Sequence, residues 1–314
     1  MTLDRRTLLG LSGYALAASL APVRLALAAG EIEALRLIEP LGKPSIVWTV
    51  FDILRPALQQ QLKAKVTAET IPGHDGFDAI RAALEPQADE TRLFGSAVMG
   101  TQYAETIVKT DIRLEDLLPI ARLTNGFSVA LFAKKGSLLK TWADLAAAAT
   151  LLKVSSLERA TAAYVAELMI ERKGGLATQV TLRKTIGEVV EDVTAGRTAL
   201  GIIPTNLIAK QLDRLQPIVS FGAKRNAILN KTPTFAEVTG NPKLTFTESV
   251  GVFAAPKLAP GLATDLTNAF IAAGNDLDVA DRVEAENIPL AINGPEILTE
   301  TMKYNEGKLR RILG

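Results

Sequence analysis

The sequence predicts an α/β protein of two lobes, each a mostly parallel sheet flanked by helices, with two crossing strands between them. Strand-like and helix-like segments alternate along the first third of the chain, which is typical of parallel sheets with right-handed crossovers. An extended stretch over 118–133 leads into a second series of the same kind, and another over 247–254 leads back. Two such lobes leave a cleft lined by the turns at their strand ends.

Composition narrows the function classes. The 314 residues are 48% hydrophobic and 22% charged, which suits two globular domains. Cysteine is absent and His74 is the single histidine, so disulfides, thiolate chemistry and multi-histidine metal sites are excluded. The net charge of +1 without a basic cluster argues against nucleic acid as a partner. We expect no metal and no cofactor.

The first 28 residues predict an export signal. Arg5 and Arg6 precede an apolar run over 8–21, and Ala26-Leu27-Ala28 fits a cleavage site. The paired arginines resemble a twin-arginine signal, with an ordinary secretory signal as the alternative. We expect cleavage near Ala28 and a mature protein outside the cytoplasm.

The first lobe is expected to begin with a strand over 34–39, a turn-rich loop over 40–45 and a helix over 50–65, regular from about Pro56. Further segments are a strand over 65–71, a helix over 77–84 and a strand over 92–99. The loop and the end of the last strand should share one rim of the cleft. This rim supplies the candidates Gly42, Lys43, Ser45 and Ser96.

The second lobe opens with the stretch 150–168. Its apolar run over 151–154 predicts a strand, Ser155-Ser156 a tight polar turn, and the following residues a helix. The start of such a helix, with the hydroxyls of Ser155, Ser156 and Thr161 and the charge of Arg159, would form an anion pocket. The alternative is that Ser156 merely caps the helix.

Later segments of this lobe continue the alternation, with a strand over 179–182, a helix over 186–195 ended by Gly196 and a strand over 199–203. Helices over 262–273, 280–285 and 295–313 close the chain. Asn206 either lines the cleft or caps the next helix.

Three basic residues are candidates for holding an acidic ligand. Lys43 and Arg159 could face each other across the cleft, since arginine binds carboxylates through two hydrogen bonds, and Lys184 is a similar case. The alternative is that all three are solvated surface charges. Trp48 and Phe51 either wall the site or fill the core of the first lobe.

Several short segments, in order along the chain, resemble the solute-binding receptors of tripartite tricarboxylate transporters, the Bug family. The most specific is AKR at 223–225 followed by TPTFAE at 232–237, which is similar to the family's A-K-R and V-P-T-V-A-E. The other similar segments are LRLIEP at 35–40, IPGHDG at 71–76, LEDLLPIA at 114–121, TWADL at 141–145 and GVFAAP at 251–256.

This resemblance implies a periplasmic receptor, usually a monomer, that binds a small organic acid and presents it to permease subunits. It implies a type II-like periplasmic-binding-protein fold, with residues 29–130 and 252–314 in lobe 1 and 131–251 in lobe 2. It also implies two ligand loops, at 41–45 and 155–160. In the second loop Leu157 and Arg159 stand where the family has glycines.

Two other functions use the same scaffold. A receptor that hands its liganded form to a sensor kinase is one, and an enzyme is the other. One histidine, no cysteine and no phosphate-binding loop argue against the enzyme. We therefore expect a binding protein without catalysis.

Overall fold

A computed structural model describes residues 32–87, 89–148 and 150–314. The predicted export segment over 1–28 lies outside the described residues. No helix within them has the length and apolar character needed to span a bilayer.

Lobe 1 is built on a six-stranded sheet. Its strands are β1 (Ala34–Glu39), β2 (Lys65–Thr70), β3 (Thr91–Ala97), β4 (Leu118–Thr124), β10 (Val250–Ala254) and β11 (Leu290–Asn293), in the spatial order β11-β4-β10-β3-β1-β2. Its helices are α1 (Ile46–Leu62), α2 (Phe77–Leu84), α3 (Val98–Ile107), α9 (Pro260–Gly274), α10 (Leu277–Ala285) and α11 (Pro295–Leu313).

Lobe 2 is built on a five-stranded sheet. Its strands are β5 (Val129–Lys134), β6 (Leu152–Leu157), β7 (Thr178–Arg183), β8 (Leu200–Pro204) and β9 (Leu215–Ser220), in the spatial order β7-β6-β8-β5-β9. Its helices are α4 (Trp142–Ala147), α5 (Ala162–Gly174), α6 (Ile186–Thr194), α7 (Thr205–Ala209) and α8 (Phe235–Thr239).

The chain crosses between the lobes twice, and the two crossings run side by side. It leaves lobe 1 after β4 and returns before β10. Phe127 and Glu248 lie on the two crossings and exchange backbone hydrogen bonds of 2.8 Å in both directions. The hinge is therefore a short antiparallel pair.

Both sheets are mixed, but most strands in each share one direction, four of six in lobe 1 and four of five in lobe 2. β1 pairs parallel with β2 and β3, and β6 pairs parallel with β7 and β8. The strands next to the crossings run the other way, because β10 is antiparallel to β3 and β4, and β5 is antiparallel to β8 and β9. β5 and β10 are the strands that enter a lobe from the hinge, so each runs away from the hinge and opposite to the strands on either side of it.

Two helices, α2 and α11, have the predicted bounds. The helix expected over 50–65, with its regular part from about Pro56, instead begins at Ile46. Ser45 caps it there, and its Oγ accepts a 3.0 Å hydrogen bond from Trp48 N–H. The buried apolar face from Ile46 through Leu54 holds this first half against the sheet, so Pro56 lies inside the helix.

Candidate functional site

A cavity of about 20 Å³ lies between the two lobes, roughly the space of one water-sized sphere. Lobe 1 contributes the loop after β1, the start of α1 and the end of β3. Lobe 2 contributes the ends of β6 and β8 and the starts of β5, α5 and α6. The lining residues are Leu41, Ser45, Ile46, Val47, Ala97, Phe127, Val129, Leu157, Thr161, Ala162, Ala163, Ile186 and Pro204. Because only Ser45 and Thr161 among them carry polar side chains, the wall is largely apolar.

The loop after β1 folds around a carboxylate of the protein itself. Glu39, fully buried at the end of β1, accepts hydrogen bonds from Leu41 N–H at 2.9 Å and Gly42 N–H at 2.7 Å. Its oxygens also accept from the hydroxyls of Ser45 at 3.1 Å and Thr70 at 2.6 Å. Gly42 has φ +71°, a conformation that favours glycine, and this turn brings its amide to the carboxylate.

Lys43, in the same loop, is exposed and its Nζ lies 4.2 Å from the ring centroid of Trp48. This cation–π contact holds the ammonium against the outside of α1. The next hydroxyl, that of Ser45, donates to Glu39 and accepts from Trp48 N–H. A serine has one proton to donate, so this hydroxyl has no second one for a ligand.

The expected turn at Ser155 and Ser156 is wrong. β6 continues through both serines, because its parallel pairing with β7 runs on to Leu157. Both side chains are fully buried. Ser155 Oγ donates to Asp192 at 2.8 Å, whereas Ser156 Oγ has no hydrogen-bond partner among the described residues. Ser156 is therefore not the helix cap either.

The partner of Ser155 is Asp192, a buried carboxylate of lobe 2 that also binds two arginines. Asp192 accepts from Arg183 Nε at 2.6 Å and from Arg197 Nε at 2.7 Å, and its side chain is 1% exposed. The hydrogen bond from Arg183, supported by Arg197 and Ser155, lowers the pKa of Asp192 to about 2. This cluster ties β6, β7 and α6 together behind the cavity.

Thr161 is the cap of α5. Its Oγ1 accepts from Tyr164 N–H at 3.3 Å and donates to the carbonyl of Glu158 at 2.8 Å. Thr161, Ala162 and Ala163 all line the cavity, so the first turn of this thirteen-residue helix forms part of the wall. The positive end of the helix dipole and the first-turn amides that Thr161 does not cap lie there.

Arg159 binds an acidic side chain of the opposite lobe. Its backbone N–H donates to Asp75 Oδ1 at 2.9 Å and its guanidinium to Asp75 Oδ2 at 3.0 Å. Asp75 lies in the turn before α2, in lobe 1. The hydrogen bond that Arg159 donates to Asp75 raises the pKa of Arg159. The two residues therefore join the lobes across the mouth of the cleft.

Of the ten predicted site residues only Ser45 and Thr161 line the cavity, and the other eight, which include Ser96, Lys184 and Asn206, lie outside its wall. Ser96 is buried in β3, with its Oγ 2.7 Å from Thr101 Oγ1. Lys184 is exposed before α6. Asn206 is buried in α7 and donates from Nδ2 to the carbonyl of Glu286 at 3.3 Å, while its Oδ1 has no partner among the described residues. Asn206 therefore contacts lobe 1 rather than the cavity.

A glutamate at the hinge was missing from the candidates. Glu248 is fully buried, and its carboxylate accepts from Met99 N–H and Gly100 N–H at 2.9 Å each, at the start of α3, and from Ser249 N–H at 2.8 Å. Burial raises the pKa of Glu248 to about 7 against the opposing effect of these amides. The sequence signal was a lone acid in the otherwise uncharged stretch 244–256.

The sequence matches no protein-family model and no curated protein. Solved structures do resemble this one. One is MatC from Rhodopseudomonas palustris with bound malate, which is 17% identical to this chain and has a TM-score of 0.80. The match covers 90% of this chain and 99% of the MatC chain. Rpa4515 from the same organism, with adipate, is 15% identical with TM-score 0.77, covering 89% and 96%.

The periplasmic binding protein BugD is 13% identical, with a TM-score of 0.77, and the match covers 90% of this chain and 95% of BugD. These three structures match nearly the whole described chain. The predicted fold class is thereby confirmed: this chain has the two-lobed α/β fold of the periplasmic binding protein BugD and of the other two structures.

Proposed function

We propose that this protein is an extracytoplasmic receptor that captures a small organic acid between its lobes and delivers it to the permease subunits of a tripartite tricarboxylate-type transporter. The observation that carries the proposal is the cavity bounded by both lobes, with the first turn of α5 in its wall. Solved proteins of the same fold hold malate and adipate. A helix start in an apolar wall is a suitable anchor for a carboxylate.

The proposed ligand region includes Ser45 and Thr161 in the wall and the loops that carry Gly42, Lys43 and Arg159. Both lobes form the cavity wall, so we expect a ligand to enter when the lobes separate about the hinge and to be held when they close again. Arg159 and Asp75 hold the closed arrangement. The receptor thus works by a hinge motion.

We propose that the protein catalyses no reaction. Its single histidine, His74, is 79% exposed on a turn outside the cavity and lies 2.7 Å from Asp78. The cavity wall contains no acid, base or charged side chain. The hydroxyls of Ser45 and Thr161 therefore have no general base beside them in this wall to activate them as nucleophiles.

The remaining features of the proposal follow from the sequence. Residues 1–28 direct export, with a twin-arginine signal cleaved near Ala28, and the mature chain acts as a monomer in the periplasm. The division expected from the sequence places 29–130 and 252–314 in lobe 1 and 131–251 in lobe 2. It differs by two residues at each crossing from the sheets, since β5 begins at Val129 in lobe 2 and β10 at Val250 in lobe 1.

A thermal-shift screen of the purified mature protein tests the proposal. Monocarboxylates, dicarboxylates, aromatic acids and amino acids are added singly, and we expect at least one organic acid to raise Tm, because a ligand that binds the folded state stabilises it. Isothermal titration then gives its Kd. If no organic acid raises Tm, or if the protein converts one into a product, the proposed function is wrong.

A further inference from the structure

The turn before α2 has an unusual backbone. Its four residues, Gly73, His74, Asp75 and Gly76, have φ angles of +135°, +45°, +56° and +89°. Two of them carry side chains, and for these the left-handed region is unfavourable because Cβ comes too close to the following carbonyl oxygen. A strained conformation of this kind persists only where the surrounding structure holds it.

A charged pair with the other lobe holds this turn. The carboxylate of Asp75 is 11% exposed and accepts hydrogen bonds from the backbone N–H of Arg159 at 2.9 Å and from its guanidinium at 3.0 Å. Within the turn, Gly76 N–H donates to the carbonyl of Gly73 at 2.9 Å. The bonds to Arg159 involve ionised groups and are the stronger ones, so the conformation of the turn depends on lobe 2.

The backbone of the turn also packs between the lobes. A Cβ built on Gly76 would lie 3.3 Å from Cβ of Pro40 and 3.8 Å from Cβ of Ala160. Pro40 precedes the loop after β1 in lobe 1, and Ala160 directly follows Arg159 in lobe 2. Ala160 is 4% exposed and belongs to the same apolar cluster as Phe77, the first residue of α2. Separation of the lobes would therefore remove both this packing and the bonds from Arg159.

We propose that the turn 73–76 is a conformational switch, which takes its left-handed form when the lobes close and relaxes to negative φ angles when they separate. Gly73 and Gly76 adopt either sign of φ with little cost, so the two ends of the turn can follow this change. Strain in the closed form then offsets part of the stabilisation from the Arg159–Asp75 pair and favours release of the bound acid. This inference rests on the proposed function and adds how closure is regulated.

Alanine and glycine at position 74 test the switch. His74→Ala and His74→Gly both remove the imidazole and its contact with Asp78, and they differ in the Cβ alone. Because the side chain is 79% exposed, neither substitution disturbs the core. Isothermal titration with malate, adipate, hexanoate and benzoate compares the two variants. We expect His74→Gly to bind each accepted acid at least about fivefold more tightly than His74→Ala, since alanine makes the left-handed closed form more costly.

The matched control is Lys63, which ends α1 with φ +51° and is exposed outside the cavity wall. Its left-handed conformation belongs to the end of the helix and does not depend on closure. Lys63→Ala and Lys63→Gly should therefore bind each acid equally. The glycine variant should nevertheless be the more stable, with an unfolding equilibrium constant lower by about threefold or more.

Urea unfolding of the ligand-free variants is the second measurement. At position 74 we expect glycine to give no gain in stability over alanine, because the open receptor does not hold the turn in the left-handed form and glycine has the greater freedom in the unfolded chain. A gain as large as that at position 63 would show that the turn stays left-handed without ligand, and the switch would be overturned.

The outcomes separate this inference from the proposed function. If acids bind but the two variants at position 74 have equal dissociation constants, or His74→Gly binds more weakly, the switch is overturned and the receptor function stands. If no organic acid binds the wild type, the proposed function fails. The urea measurement needs no ligand, so it decides even then whether the turn relaxes.

Discussion

Arg159 and Asp75 show how a single pair of residues couples the two lobes. The carboxylate of Asp75 is 11% exposed and accepts from both the guanidinium and the backbone N–H of Arg159, whose side chain is 43% exposed. A charge-assisted pair of this kind is stronger than a solvated surface pair. Because its members lie in different lobes, its energy stabilises the closed arrangement and so contributes to ligand affinity.

We therefore expect Arg159→Gln and Asp75→Asn each to weaken binding of any accepted acid several-fold, the equivalent of about 1 kcal/mol. Isothermal titration of both variants and of the double variant measures the coupling. The matched control is Arg55→Gln, which breaks a pair with Asp52 within α1. If Arg159 instead binds the ligand, as the sequence predicts, Asp75→Asn would release its guanidinium and strengthen ligand binding. That result would contradict a role of the Arg159–Asp75 pair in holding the lobes together.

At the scale of elements, the sequence predicts helices whose starts carry a local signal and misses one whose start is capped from afar. The bounds of α2, which follows Gly76, and of α11, which begins with Pro295, were predicted as observed. α3 was missed because no side chain within the helix or just before it caps its start. The acceptor is Glu248, 149 positions beyond Met99 in the chain.

The residues of the candidate site likewise fall into those that the sequence identifies and those whose placement depends on distant contacts. Ser45 became a candidate because it lies in a turn-rich loop after a strand, and Thr161 because its hydroxyl lies near an expected helix start. Both are helix caps in the structure, which was not predicted. The end of β6 could not be placed, because two adjacent serines are typical of a turn and the pairing with β7 that keeps them in a strand is not local. The apolar lining, with Phe127 and Ile186, looks like ordinary core in the sequence.

The packing of α3 against the start of α5 leads to a prediction about closure. A Cβ added to Gly100 would lie 2.6 Å from the backbone N, Cα and C atoms of Thr161. We expect Gly100→Ala to hold the lobes apart and weaken ligand binding by about tenfold or more, since the obstacle is backbone. Titration gives the affinity, and small-angle scattering at saturating ligand should give a larger radius of gyration than wild type.

The control is another helical glycine, Gly187 in the first turn of α6, where the nearest atom to an added Cβ is Thr185 Oγ1 at 3.9 Å. Gly187→Ala should keep wild-type affinity. An unchanged Kd for Gly100→Ala would mean that α3 and α5 do not need this close approach when ligand is bound.

At the scale of the whole molecule, buried acids give the stability two opposed pH dependences. Asp192 has its pKa lowered to about 2, chiefly by Arg183, so the stability it contributes is lost as the pH falls from about 4 toward 2. Glu248 and Glu105 have their pKa raised to about 7 by burial. Between about pH 4.5 and 7 the folded chain therefore holds more protons at these two sites than the unfolded chain.

It follows that the free energy of unfolding falls as the pH rises through that window and levels off above about pH 7.

Glu105 allows a clean test of this trend, because its carboxylate accepts one backbone hydrogen bond, from Leu114 N–H, and a glutamine oxygen can accept it too. We expect Glu105→Gln to reduce the loss of unfolding free energy between pH 5 and 7.5 by roughly 1 kcal/mol, a value discounted because the side chain is partly exposed. Urea unfolding at several pH values measures it, with the exposed Glu300→Gln as the matched control. A variant whose stability falls as steeply as the wild type's would show that Glu105 is already ionised across this range, and the decline would then have to come from Glu248 at the hinge.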